Sequence, residues 1–88
     1  MNLRYSKRFE ASLRKLSPDG KTTVIRALEL LQENPFEPSL DNHPLAGRMT
    51  GKRAIAVDND LRIVFTERGN HHDVTLLDVG SHADVYRR

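Results

Sequence analysis

Residues 52–67 read KRAIAVDNDLRIVFTE, two apolar-rich runs on either side of Asp58-Asn59-Asp60. In the second run Leu61, Ile63 and Phe65 alternate with Arg62, Val64 and Thr66, the period of two expected of a strand with one face on a core. The first set is apolar and faces the core; Arg62 therefore faces away from it. The turn decides the register of the partner strand. A two-residue turn at Asn59-Asp60 puts Arg53, Ile55 and Val57 on the face of Arg62. A three-residue loop at 58–60 puts Ala54 and Ala56 there and sends Ile55 and Val57 to the core. The longer loop is favoured, because it gathers the bulky residues on one side and leaves small ones around the arginine.

Working outward, residues 73–79 form a further candidate strand after the turn signal Arg68-Gly69-Asn70, and Pro44 to Met49 can add a short edge strand. Residues 35–43, with two prolines, read as a loop. Upstream the period changes to that of a helix. Ser6 can cap a helix that buries Phe9, Leu13 and Leu16. Ser17, followed by Pro18 and Asp19, caps a second, with Val24, Leu28 and Leu31 as its buried stripe, broadened by Ile25, Ala27 and Leu30. Asn34-Pro35 ends it. Leu3 and Tyr5 alternate with polar residues as a first strand. The expectation is an α+β fold of order β-α-α-β-β-β, with an N-terminal helical hairpin packed on one face of a mainly antiparallel sheet, residues 1–88 forming one domain.

The chain has no cysteine, so neither a disulfide frame nor a thiolate metal site can form. No apolar run reaches the roughly 20 residues of a membrane span, and the N-terminus lacks a signal-peptide core, so a cytoplasmic protein with no membrane partner is the default. Net charge is only +2, but residues 1–26 hold seven lysines and arginines against Glu10 and Asp19. A second basic cluster, Arg48, Lys52 and Arg53, has no acid within it and suits phosphate contacts.

Chemistry concentrates at Arg62 and at residues 76–86, LLDVGSHADVY. Arg62 is costly to bury unpaired. It either pairs with Asp60, Asp78 or Asp84, or holds a phosphate bidentately and stabilises its transition-state charge. Ser81 and Asp84 fit a capping pattern for a final helical turn, which would project His82 and Tyr86 from one face. They either cover the core edge or bring an imidazole and a phenol to a groove, where histidine can exchange protons near neutral pH. His43, ahead of Pro44, is either an exposed loop residue or is aimed at that groove. His71 and His72 belong to a hairpin loop and are poorly placed to share a metal. Neither H-E-x-x-H nor a G-x-S-x-G elbow is present, so metal and serine-nucleophile chemistry lack a motif.

With these residues placed, the chain resembles the RelE/ParE superfamily of bacterial type II toxin–antitoxin toxins, and within it the RelE and YafQ-type mRNA interferases. The likeness rests on Y-S-K-R-F at 5–9, H-P-L-A-G at 43–47, D-L-R-I-V-F at 60–65 and G-S-H-A-D-V-Y at 80–86. It implies a metal-independent and cofactor-free endoribonuclease, acting on mRNA at the ribosome and neutralised by an antitoxin protein. In such toxins the RNA's own 2′-hydroxyl attacks the adjacent phosphate. By resemblance His43, Asp60 and His82 match the acid/base positions, Arg62 the phosphate-stabilising arginine, Tyr86 the C-terminal aromatic, and Arg53 a nearby basic position. The expected division of labour in this mixed site makes His82 the acid to the leaving 5′-oxygen, Arg62 the stabiliser of the phosphorane and either His43 or Asp60 the base. Two departures stand out: Ala56 occupies a histidine position of YafQ-type toxins, and Ser81-His82 replaces a basic residue of RelE. A ParE-like inhibitor that binds DNA gyrase shares the fold without needing His43, Arg62, His82 and Tyr86. A member that only binds its antitoxin is the third reading.

Overall fold

The structure, a computed structural model, describes residues 1–87. Its elements are β1 (Asn2–Tyr5), α1 (Lys7–Arg14), α2 (Pro18–Glu33), β2 (His43–Pro44), β3 (Arg53–Ala56), β4 (Leu61–Arg68), β5 (Asp73–Ser81) and α3 (His82–Arg87). The five strands form one sheet in the order β1-β5-β4-β3-β2. β1 runs parallel to β5, and the other pairs are antiparallel. No described helix is long and apolar enough to cross a membrane.

Both helix starts follow from their serines. Ser6 Oγ accepts from the Phe9 N–H at 3.0 Å and Ser17 Oγ from the Gly20 N–H at 3.0 Å, each satisfying a donor that the first helical turn leaves free. Pro18 stands at the start of α2, where its missing N–H costs nothing. Val24, Ala27, Leu28 and Leu31 of α2 and Phe9 of α1 close a core against Ile55, Ile63, Phe65, Val74, Leu76 and Val79 of the sheet. Ile25 departs from the expected stripe and is 55% exposed, since it lies a full 100° around the helix from Val24.

The central hairpin takes the longer loop. Ala56 pairs with Arg62 and Ile55 with Ile63, and the Val57 N–H donates to the Leu61 carbonyl. Asp58 builds the loop, its Oδ1 accepting from the N–H groups of Asp60 at 2.8 Å and Leu61 at 2.7 Å. The edge strand is His43–Pro44 rather than Pro44 to Met49. Gly47 and Gly51 adopt φ of 64° and 93°, which turn the chain out of the sheet and into a 3-10 turn at Gly47–Met49.

β5 carries a bulge. The register passes from Phe65–Leu76 to Val64–Asp78, leaving Leu77 unpaired, and the Ser6 hydroxyl donates to its carbonyl at 2.9 Å. Unbroken alternation from Leu76 would drive Asp78 into the core. The extra residue instead keeps Val79 in the core and sends Asp78 and Gly80 to the other face. Asp78 is buried there, and its Oδ1 accepts from the Ser12 hydroxyl at 2.9 Å. That face is not bare: α3 folds over it, and Ala54, Val64 and Val85 are buried on this side, apart from the main core.

Candidate active site

Arg62 lies on the face away from α2, between Ala56 on β3 and Gly80 on β5. Ala56 is thus the small neighbour expected, whereas Ala54 stands opposite Val64 and is fully buried. The guanidinium donates through Nη1 to the carbonyls of Asp58 at 2.7 Å and Leu61 at 3.0 Å. The hairpin loop therefore holds one side of the fork.

The same loop fixes the start of α3, because the His82 N–H donates to the Asp60 carbonyl at 2.9 Å. Ser81 Oγ accepts from the Asp84 N–H at 3.1 Å, the cap that the Ser-x-x-Asp spacing implies. One helical turn then brings the His82 and Tyr86 rings together, centroids 4.6 Å apart and planes at 80°, an edge-to-face contact. Burial pushes the Tyr86 phenol above its ordinary pKa; the Arg62 charge draws it back, and Asp41 adds to the rise. Tyr86, His82, Arg62 and Asp41 therefore share one neighbourhood. The phenol keeps its proton at neutral pH and is a donor there.

His43 enters through Asp41. Its Nδ1 lies 2.7 Å from the Asp41 carbonyl oxygen. A carbonyl can only accept, so Nδ1 carries the hydrogen and a neutral His43 presents its lone pair at Nε2. Asp41 adopts the left-handed conformation, φ 47° and ψ 48°, which Asp tolerates better than most residues.

Of the sequence-predicted residues, His82 and Tyr86 are in ring contact, the Arg62 charge bears on the Tyr86 phenol, and His43 is held by Asp41, whose charge bears on the same phenol. Asp60 contributes its backbone carbonyl, and its residue is exposed. The three basic residues do not act as one cluster. Arg48 is exposed in the 3-10 turn, while Lys52 lines a small cavity beside Val64, Asp78 and Val85. Arg53 departs from the expected basic position near Arg62. The favoured register turns it to the opposite face, where Nε donates to Asn42 Oδ1 at 2.9 Å and lies 3.7 Å from Glu67, with the guanidinium 5.9 Å from the Phe36 ring centroid. Asp41 and Asp58 were not anticipated as organisers. The Asp-x-Asp spacing at 58–60, typical of side-chain-capped turns, was the available signal for the second. His71 contacts Glu67 and Phe36 in the β4–β5 turn, and among the described residues no group of three or more acidic or histidine side chains is arranged to hold a metal ion.

A five-stranded, mostly antiparallel sheet of this order with helices packed on it matches the RelE-like toxin fold. The family model described as a bacterial toxin of type II toxin–antitoxin systems, YafQ, matches residues 1–87, and the chain belongs to that family. Among solved structures it is similar to YafQ from E. coli strain BL21(DE3), at 18% identity over 97% of both chains, with a TM-score of 0.81. It is also similar to the toxin–antitoxin complex RelBE2 from Mycobacterium tuberculosis, at 21% identity, 92% of this chain, 96% of that one and a TM-score of 0.76. The E. coli DinJ–YafQ complex matches at 18% identity over 97% of both chains, with a TM-score of 0.71. No curated protein matches the chain by sequence.

Proposed function

We propose that this toxin is an endoribonuclease that cleaves mRNA at the ribosome without a metal ion, and that a small antitoxin protein neutralises it. The observation that carries the reading is a phenol and an imidazole in ring contact, with a guanidinium whose charge reaches the phenol, on the face opposite α2, and His43 held on that same face by Asp41. In the reaction His43 Nε2 takes the proton from the RNA 2′-hydroxyl, whose oxygen bonds to the adjacent phosphorus. The P–O5′ bond breaks, and a protonated His82 donates to the departing 5′-oxygen. The products are a 2′,3′-cyclic phosphate and a 5′-hydroxyl. Arg62 and the Tyr86 hydroxyl donate to the phosphorane oxygens as their charge grows. The fixed tautomer favours His43 over Asp60 as the base. Lys52 and Arg48 supply phosphate contacts outside the reacting linkage. The antitoxin is inferred from the DinJ–YafQ and RelBE2 complexes.

Expression of the chain alone should arrest translation. Arg62→Ala and His82→Ala should each relieve the arrest, since losing a charge-stabilising donor or a general acid costs about 100-fold or more in rate. Unchanged toxicity in both variants would remove the active site from the account.

A further inference from the structure

We infer that Asn42 and Arg53, which lie away from Arg62, are positioning residues that set the tautomer and aim of His43; the inference rests on the reading of His43 as the base. β2 is only two residues long, and one of them, Pro44, has no N–H to give to the sheet. Pairing with β3 alone therefore cannot hold the His43 segment rigidly. The side-chain amide of Asn42 supplies what is missing. Its Nδ2 donates to the Pro35 carbonyl at 2.9 Å, and its Oδ1 accepts from Arg53 Nε at 2.9 Å.

Arg53 is itself a stiff anchor. Its side chain is only 21% exposed, with Glu67 and the Phe36 ring beside it. On the other side the Asp41 N–H donates to the Pro38 carbonyl at 3.1 Å. The peptide joining Asp41 to Asn42 is thus pinned at both ends, and its carbonyl is the group that takes the His43 Nδ1–H. A partly buried ion pair on one face of the sheet in this way fixes a proton position on the other. Without the amide, that carbonyl is free to turn, water competes for Nδ1–H, and both neutral tautomers of His43 become populated.

The test is 15N NMR of histidine-labelled protein at about pH 8, where imidazole is neutral, in the native chain, Asn42→Ala, Arg53→Gln and the double variant. The native chain should show His43 as the Nδ1–H tautomer alone. Both single variants should lose that single tautomer, the Nε2–H form appearing beside it, and the double variant should resemble Asn42→Ala, because the arginine acts through the amide. Single-turnover cleavage of ribosome-bound mRNA should fall about tenfold at an unchanged half-saturating concentration. Arg53→Gln opens a largely buried ion pair, so Asn42→Ala, at a half-buried loop position, carries the decision. A native-like tautomer in Asn42→Ala would overturn the inference. A shifted tautomer with undiminished cleavage would uphold the positioning and refute His43 as the base.

Discussion

Asp58→Ala should weaken both the fold and the site although Asp58 touches no substrate. Its Oδ1 accepts from two loop N–H groups at 2.8 and 2.7 Å, and its carbonyl accepts from Arg62 at 2.7 Å. The carboxylate resembles a helix N-cap, whose loss to alanine costs about 0.5–2 kcal/mol. Two bonds at an exposed position place the expected loss at about 1–2 kcal/mol, since water replaces part of what is removed. For a domain of this size 1 kcal/mol moves the midpoint by roughly 4–8 °C, so thermal unfolding followed by circular dichroism should shift down by about 5–10 °C. Asp58→Asn keeps the accepting oxygen and should recover most of that. Cleavage should fall in Asp58→Ala beyond the unfolded fraction, because the loop that loosens also holds Arg62 and, through the Asp60 carbonyl, His82. An Asp58→Ala protein melting within about 2 °C of the native chain would refute this view of the loop.

Tyr86→Phe should keep the ring contact with His82 and so fold normally, yet lose about tenfold in cleavage for want of its donor. With the Tyr86 pKa raised, its contribution to stability is whole below about pH 10, the pKa of a free phenol, and is lost as pH rises from there through the folded-state value. Alkaline unfolding of the native chain against Tyr86→Phe measures that loss; identical profiles would contradict it. Ser12→Ala takes a hydroxyl donor from buried Asp78 and should cost about 1–3 kcal/mol in denaturant unfolding, against near-neutral for Ser39→Ala on the surface.

Much of this architecture was legible because local chemistry and long-range packing agree. Ser6, Ser17 and Pro18 mark helix starts that would be starts in any context. In the hairpin, the contrast of Ile55 and Val57 with Ala54 and Ala56 singles out one register. What escaped was set by pairing between distant strands. Nothing near Leu77 signals the bulge, which exists because Val64 and Phe65 on another strand must meet Asp78 and Leu76. The parallel docking of β1 on β5 joins residues some seventy apart, from Asn2 with Asp73 to Tyr5 with Leu76. The same holds in the site. His82, Tyr86 and Arg62 were visible from residue type and spacing, while the left-handed backbone of Asp41 and its grip on His43 have no sequence signature. Arg53 shows the limit most plainly: its charge suggested RNA, but the register the hairpin favours turns it to Asn42 and Glu67.

The most direct test is the chemistry of the ends made when the chain is induced without an antitoxin. The account predicts mRNA cut within coding sequence, the upstream fragments ending in 2′,3′-cyclic phosphate and the downstream ones beginning with 5′-hydroxyl, all absent in His82→Ala. Intact mRNA together with gyrase trapped on broken DNA would contradict it and assign the toxin to a binding mechanism.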